Sequence, residues 1–196
     1  MKSRFLEDRE LEKLLACLKP GEDLPIRLAL ETGLRVGDCV ALRPLQVFFR
    51  VGKAERTFIF YKAEKTGKIG HATISEELAL EIRRQAGEFW CFPSKKNPRK
   101  HIRRETVWAR LKRAAERAGI NAEGVSPHAL RKCFGVKVFK EHGIVAAKNA
   151  LQHSDVTTTE IYALSDFLSG ENAKKVLTRG DLLMVLRVLE DSFKNS

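Results

Sequence analysis

Leucines recur at positions 6, 11, 14, 15 and 18, a spacing that keeps one face of a helix apolar. Glu7 and Asp8 stand near its start, where a helix favours negative charge, and Pro20-Gly21 ends it. A second helix is predicted from Leu24 to Glu31, interrupted by Gly33. A short third runs from Val36 to Leu42, stopped by Pro44. Arg35 falls at the junction of these two, where a side chain can point into a cleft. From Gln46 the texture changes. Val47–Val51 and Thr57–Tyr61 are rich in β-branched and aromatic residues, with Gly52-Lys53 as a turn between them. Thr66-Gly67-Lys68 makes a second turn before His71–Ile74, so the pattern predicts a small three-stranded antiparallel sheet.

Helical patterning then returns. Ser75 is the expected cap of a helix through Arg84. Phe89–Pro93 reads as a short extended run, and Pro98 lies in a basic loop. Arg104–Ala118 reads as a strongly basic helix ended by Gly119. Ser126-Pro127 opens a helix in the favoured manner, cap residue then proline, and Gly143 ends it. Further helices are predicted at Ile144–Leu151, Thr157–Leu164 and Asp181–Phe193. The predicted fold is α+β, mainly helical, with one small inserted sheet. Leu14, Leu18, Leu28, Leu30, Leu42, Phe58, Phe60, Leu130, Val138 and Leu151 are the expected core.

Charge sharpens this picture. The 196 residues carry 36 Lys and Arg against 25 Asp and Glu, a net charge of +11. An anionic partner is implied, and nucleic acid is the usual one. Lys95, Lys96, Arg99, Lys100, Arg103, Arg104, Arg110, Lys112, Arg113 and Arg117 crowd into one stretch that holds only Glu105 and Glu116 as acids. Such a cluster is an electrostatic footprint for phosphates, and a solvated helix face explains part of it equally well. The first six of these, Lys95 to Arg104, are the expected DNA contacts. Cys17, Cys39, Cys91 and Cys133 are widely spaced, which argues against a zinc site and for free thiols in a reducing compartment. No apolar run reaches the roughly 20 residues a membrane helix needs, and no signal peptide is visible. The expectation is a cytoplasmic protein without a membrane partner, metal or cofactor.

Six residues could together hold one phosphate: Arg35, Lys65, His128, Arg131, His153 and Tyr162. Arginines offer planar forks for phosphate oxygens. Histidines donate, accept or move protons near neutral pH. Lysine is a mobile proton donor, and a tyrosine hydroxyl can become a covalent nucleophile. His128 and Arg131 lie one helical turn apart and share a face. Taken singly, each has a plainer reading. Arg35 could pair with Asp38 or Glu31. Lys65 could be a surface lysine, with Lys68 its rival. His128 could be a cap and Arg131 a surface arginine. His153 could be a satisfied structural histidine and Tyr162 a half-buried ring. Tyr61, the other tyrosine, fits an ordinary strand position.

The frames around the six decide between these readings. Thr32-Gly33-Leu34-Arg35-Val36-Gly37-Asp38 resembles the Thr-Gly-x-Arg-x-x-acid box of the tyrosine recombinase (integrase) family, with Asp38 where Glu is more usual. Lys65-Thr66-Gly67-Lys68 is similar to its lysine hairpin, and His128-Ala129-Leu130-Arg131 matches His-x-Leu-Arg. Leu151-Gln152-His153, followed by Thr157 to Tyr162, resembles the Leu-Gly-His box and nucleophile segment, with Gln152 replacing Gly. All four frames occur in family order.

The resemblance implies metal-independent DNA cleavage and rejoining through a 3′-phosphotyrosyl intermediate. Tyr162 would be the nucleophile and His128 its base. Arg35, Arg131 and His153 would hold the phosphate, and Lys65 would protonate the departing oxygen. It also implies a double-stranded DNA partner, action as a homotetramer, and a C-terminal segment around Leu182–Leu189 docking on a neighbouring subunit. Most relatives carry a further N-terminal DNA-clamping domain; residues 1–196 are expected to form a single catalytic domain without it. A type IB topoisomerase-like enzyme and a non-cutting DNA-binding regulator are the rival readings. A basic RNA-binding module would instead need stacking aromatics near the basic stretch, where the chain supplies only Trp108.

Overall fold

The computed structural model of the chain describes residues 3–53 and 55–152. Helix α1 spans Asp8–Ala16 and buries Leu14. Helix α2, Leu24–Thr32, carries Pro25 in its first turn and ends at Gly33, whose φ of 67° is the left-handed conformation that glycine tolerates best. Helix α3 is the short segment Val36–Val40. A single 3-10 turn, Pro44–Gln46, leads into the sheet.

Strands β1 (Val47–Val51), β2 (Arg56–Lys62) and β3 (Ile69–Thr73) lie antiparallel in that order. Phe48 pairs with Phe58, Phe58 with Thr73, and Phe60 with His71. Helix α4 (Glu76–Gln85) is capped by Ser75, whose hydroxyl accepts the Leu78 amide hydrogen. Helix α5 covers Arg104–Arg117. Helix α6 covers Pro127–Gln152, with a break at Gly143 (φ 78°). The helices predicted to end near Gly143 and to begin at Ile144 are therefore two arms of α6. No regular strand forms over 89–93; Pro93 makes only an isolated bridge to His101. The elements predicted at 157–164 and 181–193 lie outside the described residues.

Helix α2 is central and packs against α3, α4 and α6. Ile26, Leu28 and Ala29 are fully buried, as are Leu78, Ala79 and Ile82 of α4 and Leu111 and Ala114 of α5. Arg27 clamps α2 to α4, donating to both Glu81 oxygens at 2.9 Å. Glu31 accepts from the Ser75 amide and hydroxyl at 2.9 and 3.0 Å, so it serves the start of α4. Ahead of α1, Arg4 grips Glu10 with two bonds of 2.8 Å and reaches the carbonyls of Asn121 and Glu123. That strap fixes the loop leading into α6.

Four expected core residues, Leu14, Leu28, Leu42 and Leu130, are buried, while Leu18 and Leu30 are half-buried against them. Val138 is half-buried, and the side chain of Leu151 lies outside the described residues. Phe58 and Phe60 are corrections. The period-2 alternation of β2 turns Thr57, Ile59 and Tyr61 inward and leaves Phe58 half-buried and Phe60 40% exposed on the outer face. All four cysteines are free. Burial pushes the Cys91 thiol up to about 12 and that of Cys133 to about 11, and raises Cys39 further still. Among the described residues no helix is long and apolar enough to cross a membrane.

Candidate active site

The site begins at the α2–α3 junction. Gly33 closes α2 in a left-handed turn, and Arg35 takes the N-cap position of α3 with extended backbone. A side chain at Gly33 would have no room, because a Cβ there would lie 2.3 Å from the ring of Phe134 on α6. The Gly33 carbonyl accepts a 2.7 Å hydrogen bond from Arg131, which is only 2% exposed. A residue near the start of α6 thus fixes the loop that presents Arg35, across 98 positions of sequence. The plainer reading of Arg131 as a surface arginine does not hold: the residue is buried and forms part of a cavity wall.

Asp38 links this junction to the sheet. Its carboxylate accepts the amide hydrogen of Glu64 at 2.8 Å, immediately before Lys65. The β2–β3 turn is closed by the Ala63 amide to the Lys68 carbonyl (2.8 Å) and the Gly67 amide to the Ala63 carbonyl (2.7 Å), with Gly67 at φ 68°. Lys65 rides on that turn and is exposed. Burial is the largest influence on Asp38 and raises its carboxyl above the ordinary aspartate value; the Glu64 amide and the charge of Arg35 pull it back.

These elements enclose one open cavity of about 680 Å³. Arg35, Lys65, His128 and Arg131 all line it, brought from three separate parts of the chain. His128 projects from the first turn of α6, where Ser126 caps the helix by accepting the Ala129 amide hydrogen. It is exposed, one turn from the buried Arg131. His153 and Tyr162 lie outside the described residues. Tyr61 is a poor alternative nucleophile. It is an inward residue of β2, its ring lies against Gly70 of β3, and burial pushes its hydroxyl up rather than down.

The cavity has further walls. Glu64, Arg104, Glu105, Trp108 and Ser126 line it as well. Arg104, Glu105 and Trp108 follow one stripe of α5, so the spacing i, i+1, i+4 was a usable signal in the sequence. The Asp38–Glu64 contact had none, since it joins a carboxylate to a backbone amide 26 positions away. Arg104 is shared between site and basic stretch and pairs with Glu105 at 2.8 Å.

Lys95, Lys96, Arg99, Lys100 and Arg103 are exposed on the loop before α5. That loop has its own order. Asn97 accepts the Arg99 amide hydrogen with its side chain and the Lys100 amide hydrogen with its carbonyl, and Trp90 donates to the Arg99 carbonyl at 3.0 Å. Other members of the cluster are engaged inside the protein. Arg110 meets Glu22 at 3.5 Å, Arg117 donates to the Arg113 carbonyl, and Lys112 donates to the Ala122 carbonyl.

The chain belongs to the phage integrase family, whose description matches residues 4–168. It is 32% identical over 179 residues to a tyrosine recombinase XerD of Shewanella oneidensis, a match covering 80% of this chain and 55% of that protein. It therefore spans about half the length of the curated relatives it matches. Its fold is similar to that of the XerH site-specific recombinase bound to a palindromic difH substrate, with a TM-score of 0.67, 19% identity, and coverage of 90% of this chain and 54% of that one. A lambda integrase tetramer bound to a Holliday junction aligns with a TM-score of 0.63 and 21% identity over 81% of this chain and 49% of that one. The α+β architecture with its small antiparallel sheet is that of these recombinases.

Proposed function

We propose that the chain is the catalytic domain of a site-specific DNA recombinase that cuts and rejoins duplex DNA through a 3′-phosphotyrosyl intermediate. The observation that carries this reading is the single cavity lined by Arg35, Lys65, His128 and Arg131. Two guanidinium groups and one ammonium around one space match the needs of a phosphodiester undergoing displacement, whose non-bridging oxygens gain negative charge in the transition state.

The steps follow from the groups. The Tyr162 hydroxyl attacks phosphorus and forms a Tyr–O–P bond to the 3′ phosphate, while the bond to the 5′ oxygen breaks. A free tyrosine ionises near pH 10, so its proton needs an acceptor at neutral pH, and His128 takes it. Lys65 gives a proton to the departing 5′ oxygen; its place on the β2–β3 turn, in the wall of the cavity, lets it reach that oxygen. Arg35 and Arg131 hold the non-bridging oxygens, with His153 as a further donor. Attack by the 5′ hydroxyl of a partner strand reverses the sequence and rejoins the DNA. The adduct keeps the phosphodiester's bond energy, so the route asks for no nucleotide cofactor, and the guanidinium groups supply the charge neutralisation for which other enzymes use a metal.

Exchange between two sites requires several copies on DNA, and a tetramer is the arrangement proposed, in keeping with the lambda integrase tetramer on a Holliday junction. A single domain over residues 1–196 is part of the same proposal.

The test is a nicked duplex that lets the 5′ fragment diffuse away and strands the covalent complex. Wild type gives a protein–DNA band that survives SDS, Tyr61→Phe gives the same band, and Tyr162→Phe gives none. A band from Tyr162→Phe would remove the proposed nucleophile.

A further inference from the structure

The outer face of the sheet is not used by the chemistry above, and its side chains form a pattern of their own. The rings of Phe48, Phe58 and Phe60 make a continuous cluster, each centroid 5.3 Å from the other two. Phe48 is 37% exposed and Phe60 40%. His71 extends the cluster, its ring 6.0 Å from that of Phe60. These rings are surplus to the core, because the inward positions of the same strands already hold Val47 and Ile59. Single exposed rings are ordinary on a surface; three in mutual contact form a patch, and patches mark binding surfaces.

The charge around the patch selects the partner. Arg56 and Lys62 lie at opposite ends of β2 on the same outward alternation as Phe58 and Phe60, and both are exposed. Six steps along the strand separate them, about 20 Å. The strand residues that alternate onto this face include no acid. Of the acids near the β1–β2 end, Glu76 is paired with Arg50 at 3.0 Å, and Glu55 in the turn acts on the same arginine. Aromatic faces flanked by cations are what unpaired nucleotides require: rings for the bases, positive charge for the phosphates. A second copy of this chain would bring the same cations against this face. A duplex keeps its base faces stacked on one another and would leave the rings unused.

We infer that the outer face of the β1–β3 sheet binds single-stranded DNA, with bases stacked on Phe48, Phe58 and Phe60 and the backbone held by Arg56 and Lys62. The choice of DNA rests on the proposed reaction, since the β2–β3 turn that ends this face also carries Lys65 into the cavity. A strand unpaired beside the cut therefore has a surface waiting within the same hairpin.

Cross-strand aromatic pairs also stabilise sheets, so the test must separate the two roles. Phe60→Ile keeps an apolar, strand-favouring side chain but removes the ring. Binding is followed by the anisotropy of a labelled oligothymidylate of about 12 nucleotides, and of a mixed-sequence duplex. Phe60→Ile should weaken binding of the single strand about tenfold and leave the duplex unchanged, while Phe60→Tyr should restore it. Arg56→Gln should lower the salt dependence of single-strand binding by a slope of about 0.7. Tyr162→Phe should bind the oligothymidylate like wild type, so loss of the covalent adduct and loss of this site are read separately. Unchanged single-strand affinity in Phe60→Ile overturns the inference, as does an equal loss on duplex. So does a concentration-dependent self-association of wild type that Phe60→Ile abolishes, because the face would then join copies of the chain.

Discussion

The Asp38 carboxylate accepts the Glu64 amide hydrogen while lying only 6% exposed between Arg35 and the β2–β3 turn. Two consequences follow at the scale of this residue. The acceptor holds the turn that carries Lys65, so Asp38→Asn, which keeps an oxygen there, should retain far more adduct formation than Asp38→Ala. The second consequence concerns pH. The folded-state carboxyl is raised, chiefly by burial, so the folded protein holds this proton more tightly than the unfolded chain does. Its contribution to stability is therefore fully present below the unfolded value of 3.8 and is lost as pH rises through the higher folded value. Asparagine does not titrate. Urea unfolding at several pH values should show Asp38→Asn gaining stability relative to wild type as pH climbs above 3.8. A difference between the two proteins that stays flat with pH would mean that the carboxyl is not perturbed.

At the scale of elements, the α2–α3 junction sets the direction of Arg35, and Gly33 controls it. Two separate penalties meet at Gly33→Ala. The left-handed φ of 67° costs a side chain about 1–2 kcal/mol. The new Cβ also meets the Phe134 ring at 2.3 Å, so the ring or the helix end must move. Combining Gly33→Ala with Phe134→Leu should recover the second penalty and leave the first, giving a favourable coupling in a double-mutant cycle of urea midpoints. Strictly additive changes would mean the ring is not the obstacle. This junction also shows what sequence can and cannot reveal. Gly33, Pro44 and Ser126-Pro127 announced element boundaries because their backbone preferences are local. The strands were legible from composition, but the face each ring occupies was not. Phe58 and Phe60 look like core by hydrophobicity, and only the register of β2 between β1 and β3 turns them outward. Arg35, Lys65, His128 and Arg131 could be named from their frames. The Arg131–Gly33 and Asp38–Glu64 bonds that hold them could not, since both end on backbone atoms that have no residue-type signature.

For the whole molecule, a net charge of +11 acts through where its cations are free to move toward phosphates. The basic stretch divides into two kinds. Lys95, Lys96, Arg99 and Lys100 are exposed on a loop held in shape by Asn97 and Trp90, so their heads can reach a backbone without refolding. Arg110 is turned inward toward Glu22 with only 13% of its side chain exposed, and burial pulls its guanidinium below the ordinary arginine value. Each phosphate neutralised on duplex DNA steepens the dependence of log affinity on log salt by about 0.9. Replacing Lys95, Lys96, Arg99 and Lys100 with glutamine should therefore flatten that slope by about 0.9 for every one of them that meets a phosphate, with little change in the urea midpoint. Arg110→Gln should do the reverse, lowering the midpoint because Glu22 loses its partner and leaving the slope where it was. Gel shifts across a salt series, run beside urea melts of the same two variants, read both quantities. If Arg110→Gln flattens the slope and the loop variant does not, the phosphate contacts belong to the helix rather than to the loop before it.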